Sequence, residues 1–165
     1  AMRGVACLEV LGEASLTVTG SGASFGPQMF AGGNMCVRVE GANALLSAPS
    51  HALVMQSSNG GSYGAHVQVT QGARAEVGGL LLAGTPARID VVQGGAQLAV
   101  RGDALATALQ GPEAPALVGL LPPPVAVCTA DGTLLVDGNL TLKSMGGEHE
   151  LAMFGTGGVT VGGAA

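Results

Sequence analysis

The stretch Val37-Arg38-Val39 returns along the chain as Val67-Gln68-Val69, Ile89-Asp90-Val91 and Val125-Ala126-Val127. In each copy two β-branched apolar residues flank a central residue that changes from copy to copy: Arg38, Gln68, Asp90 or Ala126. This alternation is typical of a β-strand with one buried face. Glycine follows most copies within a few positions. A short strand that restarts at intervals in this way is typical of stacked β-repeats that share one continuous core.

Further apolar segments follow the first strand of most repeats, as in Leu98-Ala99-Val100 and Leu140-Thr141-Leu142. Three short strands per repeat, separated by glycine-containing corners, are what a right-handed parallel β-helix requires. The glycines expected to supply positive-φ or closely approached backbone at these corners are Gly12, Gly41, Gly72, Gly94, Gly132 and Gly138. We predict an all-β fold, a single-stranded right-handed parallel β-helix (solenoid) of about five to seven short coils. The alternative is a β-sandwich or jelly roll, which also has short strands and glycine turns.

The composition supports a folded, repetitive chain. The 165 residues fit a single domain, residues 1–165, as a whole chain or as a fragment of a longer one. With 47% hydrophobic and 10% charged residues, a charged disordered chain is excluded. Aromatic residues make up 2% of the chain, so the core must be filled by many small aliphatic side chains. A narrow, repetitive core fits this composition better than a bulky globular one.

Charge and hydropathy exclude two classes of partner. The net charge is −5 and the six basic residues are dispersed, whereas nucleic-acid binding needs a clustered cationic face. The longest apolar run, Ala114 to Val127, is interrupted by prolines and is shorter than the ~20 residues of a spanning helix, so no membrane insertion is expected. The start of the chain, Ala1-Met2-Arg3-Gly4, does not resemble a secretory signal.

The residues that commonly carry chemistry are scattered. Cys7, Cys36 and Cys128 are far apart and show no CxxC spacing, so we expect buried small hydrophobic residues and neither a zinc site nor a disulfide framework. Glu148-His149-Glu150 is the one dense ionisable group, but strand neighbours point to opposite faces, which favours a solvated turn over a metal site. No cofactor and no catalytic residue is predicted, and the chain is expected to be non-enzymatic.

The spacing of the histidines and aspartates also predicts no metal site and no catalytic site. His51 and His66 have no carboxylate or cysteine partner at a ligand spacing. Polysaccharide lyases and hydrolases need clustered carboxylates, whereas the aspartates here are scattered. The aspartates are Asp90, Asp103, Asp131 and Asp137. A glycan-binding or glycan-cleaving β-helix is therefore an alternative of lower rank.

Arg101-Gly102-Asp103 is the one short motif with a specific binding chemistry. Integrin-type receptors read this tripeptide as a guanidinium and a carboxylate held apart by glycine. It follows the strand segment Leu98-Ala99-Val100 and precedes a proline-rich stretch, so it is expected at a corner. Two interpretations stay open: a binding site formed by Arg101, Gly102 and Asp103, or an ordinary solvated turn.

The string Arg101-Gly102-Asp103-Ala104-Leu105-Ala106, which leads into a Gly/Pro-containing stretch, resembles pertactin-type autotransporter passenger domains. The repeat Gly72-Ala73-Arg74-Ala75-Glu76-Val77-Gly78-Gly79 adds a more diffuse likeness. The resemblance implies a bacterial, surface-exposed right-handed β-helix that acts in adhesion through its loops.

The functional prediction is a structural or adhesive module, extracellular or at a cell or particle surface, that presents corner loops to a host receptor or other surface protein. The expected interaction elements are the interruptions Ser21 to Asn34 and Arg101 to Pro124, and Arg101 and Asp103 are the residues expected to contact a receptor. The alternative is a virion or fibre component whose coils assemble with further copies as a homo-oligomer, either a trimer or an end-to-end stack.

Overall fold

The computed structural model describes residues 4–26, 33–56, 64–84, 86–108, 125–144 and 149–163. This part of the chain is all-β: it contains thirteen strands and no helix. The strands are β1 (Gly4–Leu11), β2 (Ser15–Thr17), β3 (Ser24–Phe25), β4 (Gly33–Glu40), β5 (Leu45–Gln56), β6 (Ala65–Thr70), β7 (Arg74–Ala83), β8 (Ala87–Val100), β9 (Ala104–Ala108), β10 (Val125–Val136), β11 (Leu140–Ser144), β12 (His149–Phe154) and β13 (Gly158–Val161).

The strands stack in three parallel ladders. The first ladder runs β1, β4, β6, the start of β8, the start of β10 and β12. The second runs β2, the starts of β5 and β7, the ends of β8 and β10, and β13. The third runs β3, the ends of β5 and β7, β9 and β11. Every pairing between described strands is parallel, which argues against the antiparallel sandwich or jelly roll.

One passage of the chain through the ladders is called a repeat, and six repeats meet on the first ladder. The valine motif that starts the second to fourth repeats is in register, because Val37 pairs with Val67 and Val67 pairs with Ile89. The fourth copy of the motif is displaced by two residues: Val127, not Val125, pairs with Ile89. The outward residue beside Asp90 is therefore Cys128 and not Ala126, which corrects the sequence alignment of the four copies.

The core lies between the three ladders and consists of small aliphatic side chains. On the first ladder the stack Val37, Val67, Ile89 and Val127 is at most 1% exposed. Leu46 and Leu98 from the second ladder and Leu53 and Leu82 from the third face it and are equally buried. Each such side chain contributes about 1.5–3 kcal/mol by leaving water, so repetition compensates for the scarcity of large residues.

The corners contain residues with left-handed or closely approached backbone. At the first corner, between the first and second ladders, a left-handed backbone recurs at Gly12, Gly41, Gln71, Gly72, Gln93, Gly94, Gly95, Asp131 and Gly155. Gly132 and Gly138 have ordinary φ values but are closely approached by the backbone of the preceding repeat. The expected roles of the corner glycines are thereby confirmed.

The third corner joins the third ladder to the first ladder of the next repeat. Its five connections are residues 26–32, 57–64, 84–86, 109–124 and 145–148, and they range from three to sixteen residues. The first corner never needs more than four residues between its ladder segments. Most of the variation in repeat length is therefore confined to one corner, and its longest connection contains the predicted interruption Gly111 to Pro124.

Candidate functional site

Arg101 lies at the second corner of the fourth repeat, directly after β8. Its Nε donates to Oε1 of Glu76 at 2.6 Å, and its Nη1 donates to Oδ2 of Asp137 at 3.2 Å. Glu76 belongs to the third repeat and Asp137 to the fifth, so one guanidinium ties three successive repeats together. The hydrogen bonds, first to Glu76 and then to Asp137, raise the pKa of Arg101 above its ordinary value. The side chain is 51% exposed although both donating groups are engaged.

Gly102 and Asp103 are also built into this corner. Oδ1 of Asp103 accepts a hydrogen bond from the backbone N–H of Asn139 at 2.8 Å, one repeat further along. The carbonyl of Gly102 accepts from the N–H of Gly138 at 3.0 Å. A Cβ atom on Gly102 would lie 2.7 Å from the carbonyl oxygen of Gly78, which is closer than real Cβ contacts. The three predicted site residues therefore lie together at an exposed corner, as expected, and all three make contacts between repeats.

A second polar cluster lies on the outer face of the first ladder and was missed by the sequence analysis. Nε2 of His66 is 2.8 Å from Oδ2 of Asp90, and Nε of Arg88 donates to both oxygens of the same carboxylate at 2.8 and 2.9 Å. Asp90 is 8% exposed. His66 therefore does have a carboxylate partner, which corrects the expectation drawn from sequence spacing. The partner is 24 residues away because it comes from the next repeat.

The charge state of Asp90 follows from these contacts. Burial by itself raises the pKa of Asp90, but the hydrogen bonds from His66 and Arg88 outweigh burial and hold the net pKa below its ordinary value. Asp90 is thus a carboxylate at neutral pH and can only accept hydrogen bonds. In a neutral His66 ring, the contact with this carboxylate places the ring proton on Nε2 and the lone pair on Nδ1.

The cysteines differ from the sequence expectation. Cys7 and Cys36 are directly opposite each other on β1 and β4, their Cα atoms are 4.5 Å apart, and their sulfur atoms form a disulfide. Cys7 is exposed and Cys36 is partly buried, because both lie on the outward side of the first ladder. The expectation of buried cysteines without a disulfide was wrong, since two residues 29 apart in sequence become neighbours when one repeat closes. Cys128 is not part of the disulfide and is also partly buried.

Other predicted positions contribute less to a site. His51 is 6% exposed and its Nδ1 has no hydrogen-bond partner among the described residues. Glu148 and the side chains of His149 and Glu150 lie outside the described residues, as does much of Ser21 to Asn34 and all of Gly111 to Pro124. Within the described ranges no group of three or more His, Cys, Asp or Glu side chains could hold a metal ion. No helix in those ranges is long and apolar enough to cross a membrane.

Comparison with known proteins returned no match to any protein-family model, curated protein or solved structure. Two candidate sites are therefore identified from the geometry of the structure alone. The first is the Arg101-Gly102-Asp103 corner. The second is the outer face of the first ladder, with the disulfide and the His66 cluster.

Proposed function

We propose that this chain is a non-enzymatic structural and adhesive module, a right-handed parallel β-helix that presents its third corner to a partner at a cell or particle surface. The observation that carries the proposal is the confinement of large length changes to that corner, from three residues at 84–86 to sixteen at 109–124. Insertions at one position of a repeat are typical of the binding side of solenoid proteins. The ladders themselves then serve as a rigid support.

The right-handed winding is supported by a general rule of chain connection. All described strand pairings are parallel, and connections between parallel strands of one sheet are right-handed in about 98% of cases. A surface location is supported by the disulfide between Cys7 and Cys36, because disulfides persist mainly in oxidising compartments. The right-handed winding agrees with the resemblance to pertactin-type passenger domains, whereas the cysteines depart from it.

The Arg101-Gly102-Asp103 tripeptide is the weaker candidate for the contact with a receptor. An integrin-type receptor would need the guanidinium and carboxylate, and these already hold Glu76, Asp137 and the backbone of Asn139. Binding would have to break contacts between repeats, which costs part of the binding free energy. We therefore assign the partner contact to the third corner and regard the tripeptide as part of the support.

Two variants separate these assignments in an attachment assay on integrin-bearing cells. Replacing residues 110–122 by a short Gly-Ser linker should abolish attachment while the thermal midpoint changes little, and Arg101→Ala should retain attachment. A linker variant that attaches as well as the parent contradicts the proposal. Loss of attachment in Arg101→Ala alone would assign adhesion to the tripeptide.

Self-association is a second candidate, favoured by the two ends of the stack. Inward-facing Leu8, Leu16 and Phe25 of the first repeat and Val159 of the sixth are only partly buried, whereas the equivalent residues of the middle repeats are buried. A further repeat from another copy would cover them and would pair the open strand edges. Light scattering over a hundredfold concentration range tests this candidate: a mass that rises with concentration supports end-to-end assembly, and a constant monomer mass removes it.

A further inference from the structure

The disulfide lies in a row of outward-facing residues that continues beyond it. Cys7 is opposite Cys36 on the first ladder, Cys36 is opposite His66 on the next strand, and His66 is opposite Arg88. Residues that are directly opposite on neighbouring parallel strands are ~4.8 Å apart and point to the same side of the sheet. The Cys36 sulfur therefore has the other cysteine on one side and an imidazole on the other.

The two sulfur atoms differ in their surroundings. Cys7 is exposed on the first repeat, whereas Cys36 is partly buried between neighbouring strands on both sides. An incoming thiol therefore meets the Cys7 sulfur first. Attack there makes Cys36 the leaving group, and a leaving thiol departs faster when its thiolate is stabilised.

The orientation of the His66 ring is fixed by the cluster of Asp90 and Arg88 on the next strand. Its Nε2–H donates to the Asp90 carboxylate, which Arg88 anchors through two further hydrogen bonds. The Nδ1 lone pair is then available to take a proton, and the resulting imidazolium is stabilised by Asp90. This is the arrangement by which a carboxylate-oriented histidine activates a cysteine or serine.

We propose that Cys7, Cys36 and His66 form a thiol–disulfide exchange site for small-molecule or peptide thiols, with Asp90 and Arg88 as positioning residues. This inference does not rest on the adhesive function. Cys7 is the sulfur that accepts the external thiol, Cys36 is the stabilised thiolate, and His66 is its proton partner.

The chemical step uses an external monothiol, such as reduced glutathione, as the reductant. Its thiolate attacks the Cys7 sulfur, a new S–S bond forms, and the electron pair of the Cys7–Cys36 bond goes to Cys36 as a thiolate. A second thiolate attacks the external sulfur of the mixed disulfide and releases Cys7 as a thiolate. Two monothiols thereby become one oxidised disulfide, and the protein gains two electrons and two protons.

The other charged groups near the site lie on β1, β4 and β8. Arg38 lies two residues beyond Cys36 on β4, forms an ion pair with Glu40, and is 3.8 Å from Glu9 of β1. From β8, on the other side of His66, come Arg88 and Asp90. Arg88 and Asp90 balance each other, whereas Arg38 with Glu9 and Glu40 leaves one net negative charge. Cys128 of β10, opposite Asp90, is the other titratable group among the described residues there and is replaced in the experiment below, so the proton exchanged between Cys36 and His66 is expected to dominate the pH dependence.

The first experiment isolates Cys36 by Cys7→Ser and Cys128→Ala and follows its alkylation by iodoacetamide between pH 4 and 10. We expect a midpoint at least one unit below the ~8.5 of an ordinary cysteine thiol. His66→Gln in this background should raise the midpoint by about one unit and slow alkylation about tenfold at pH 7.

Two further variants in the same background serve as comparisons. Asp90→Asn should shift the alkylation midpoint of Cys36 in the same direction as His66→Gln, because it removes the carboxylate that orients the imidazole. Gln68→Ala, which removes no ionisable group from the same strand face, should leave the midpoint unchanged. A midpoint that stays the same after His66→Gln overturns the proposed site.

The second experiment needs no substitution. The oxidised chain is exposed briefly to reduced glutathione, and acid then stops the exchange. The remaining free thiols are alkylated, and the cysteine that carries glutathione is identified by mass spectrometry. Glutathione on Cys7 with alkylated Cys36 supports the proposed polarity. Glutathione on Cys36, or a disulfide that no thiol reduces in the folded protein, overturns it.

Discussion

Nε of Arg101 donates a hydrogen bond to Oε1 of Glu76 at 2.6 Å, so a cation at the corner of one repeat is held by a carboxylate of the repeat before it. Asp137 holds the same guanidinium from the repeat that follows. Because these groups are exposed, salt should screen the network. Arg101→Ala is expected to lower the thermal midpoint slightly at low salt and not at all in ~1 M NaCl. Arg74→Ala, which removes another exposed arginine with no ion pair among the described residues, is the control; an effect of Arg101→Ala that persists in high salt contradicts the electrostatic account.

Gly102 lies where the carbonyl oxygen of Gly78 leaves no room for a Cβ atom. A Cβ at Gly102 would lie 2.7 Å from the Gly78 carbonyl oxygen, so Gly102→Ala should lower the free energy of unfolding by about 1–3 kcal/mol. Gly158→Ala is the matched control, because a Cβ there meets nothing within 4 Å. It should change stability by less than about 0.5 kcal/mol. Urea denaturation of both variants measures the difference, and equal stabilities would show that the corner can widen at little cost.

Thr129 places a hydroxyl in the core without a partner among the described residues. Its side chain is 0% exposed, its Oγ1 has no hydrogen bond within that part of the chain, and it is opposite Val91. Thr129→Val keeps the shape and removes the buried polar atom, so we expect a gain of about 1 kcal/mol in the free energy of unfolding. Val91→Thr, the reverse change in the same stack, should cost about 1–3 kcal/mol. A loss of stability in Thr129→Val would indicate that the hydroxyl is satisfied in solution.

The disulfide closes the first repeat into a covalent ring, because Cys7 and Cys36 are separated by one full repeat of 29 residues. In the chain-entropy model a loop of this length contributes about 3–4 kcal/mol. The double variant Cys7→Ser, Cys36→Ser should lose about this much, whereas Cys128→Ser should lose much less. Thiol titration of the unfolded, unreduced chain should detect one reactive thiol, from Cys128. Detection of three thiols would refute the disulfide.

The decrease in the free energy of unfolding at acid pH should depend on Asp90. Its folded-state pKa lies below 3.8, so its stabilising contribution is complete well above that pH and is lost as the pH falls through 3.8 toward the folded value. Asp90→Asn should lower the free energy of unfolding by about 2 kcal/mol at pH 7. The variant should also show a shallower loss of stability below about pH 4. Denaturant titrations from pH 2 to 7 on the parent and the variant test both points, and parallel curves would exclude Asp90 as a contributor.

The strands and their inward residues could be predicted from the sequence. Alternation in segments such as Val37-Arg38-Val39 requires a strand with one buried face wherever the chain packs. The corner glycines follow from the same local rules. The position of Arg101-Gly102-Asp103 at a corner was predictable for the same reason. Three separate short strands are found in the first repeat only, because β5, β7, β8 and β10 each continue through a corner into the next ladder.

The partners across repeats could not be predicted. His66 meets Asp90, and Cys7 meets Cys36, only after the connections between repeats have set which residue lies above which. Those connections range from three to sixteen residues, so sequence distance does not reveal the register. The two-residue displacement at Val125 to Val127 shows the consequence, since it places Cys128 and not Ala126 beside Asp90.

The sequence by itself thus determined that the chain forms short strands with a small aliphatic core, because side-chain alternation is a local property of extended backbone. Only the tertiary structure decided which outward side chains become neighbours. Register between parallel strands depends on the length of the chain that joins them and on the fit of the shared core, and neither can be read from a single segment. Both candidate sites, at Arg101 and at Cys36, are products of that register.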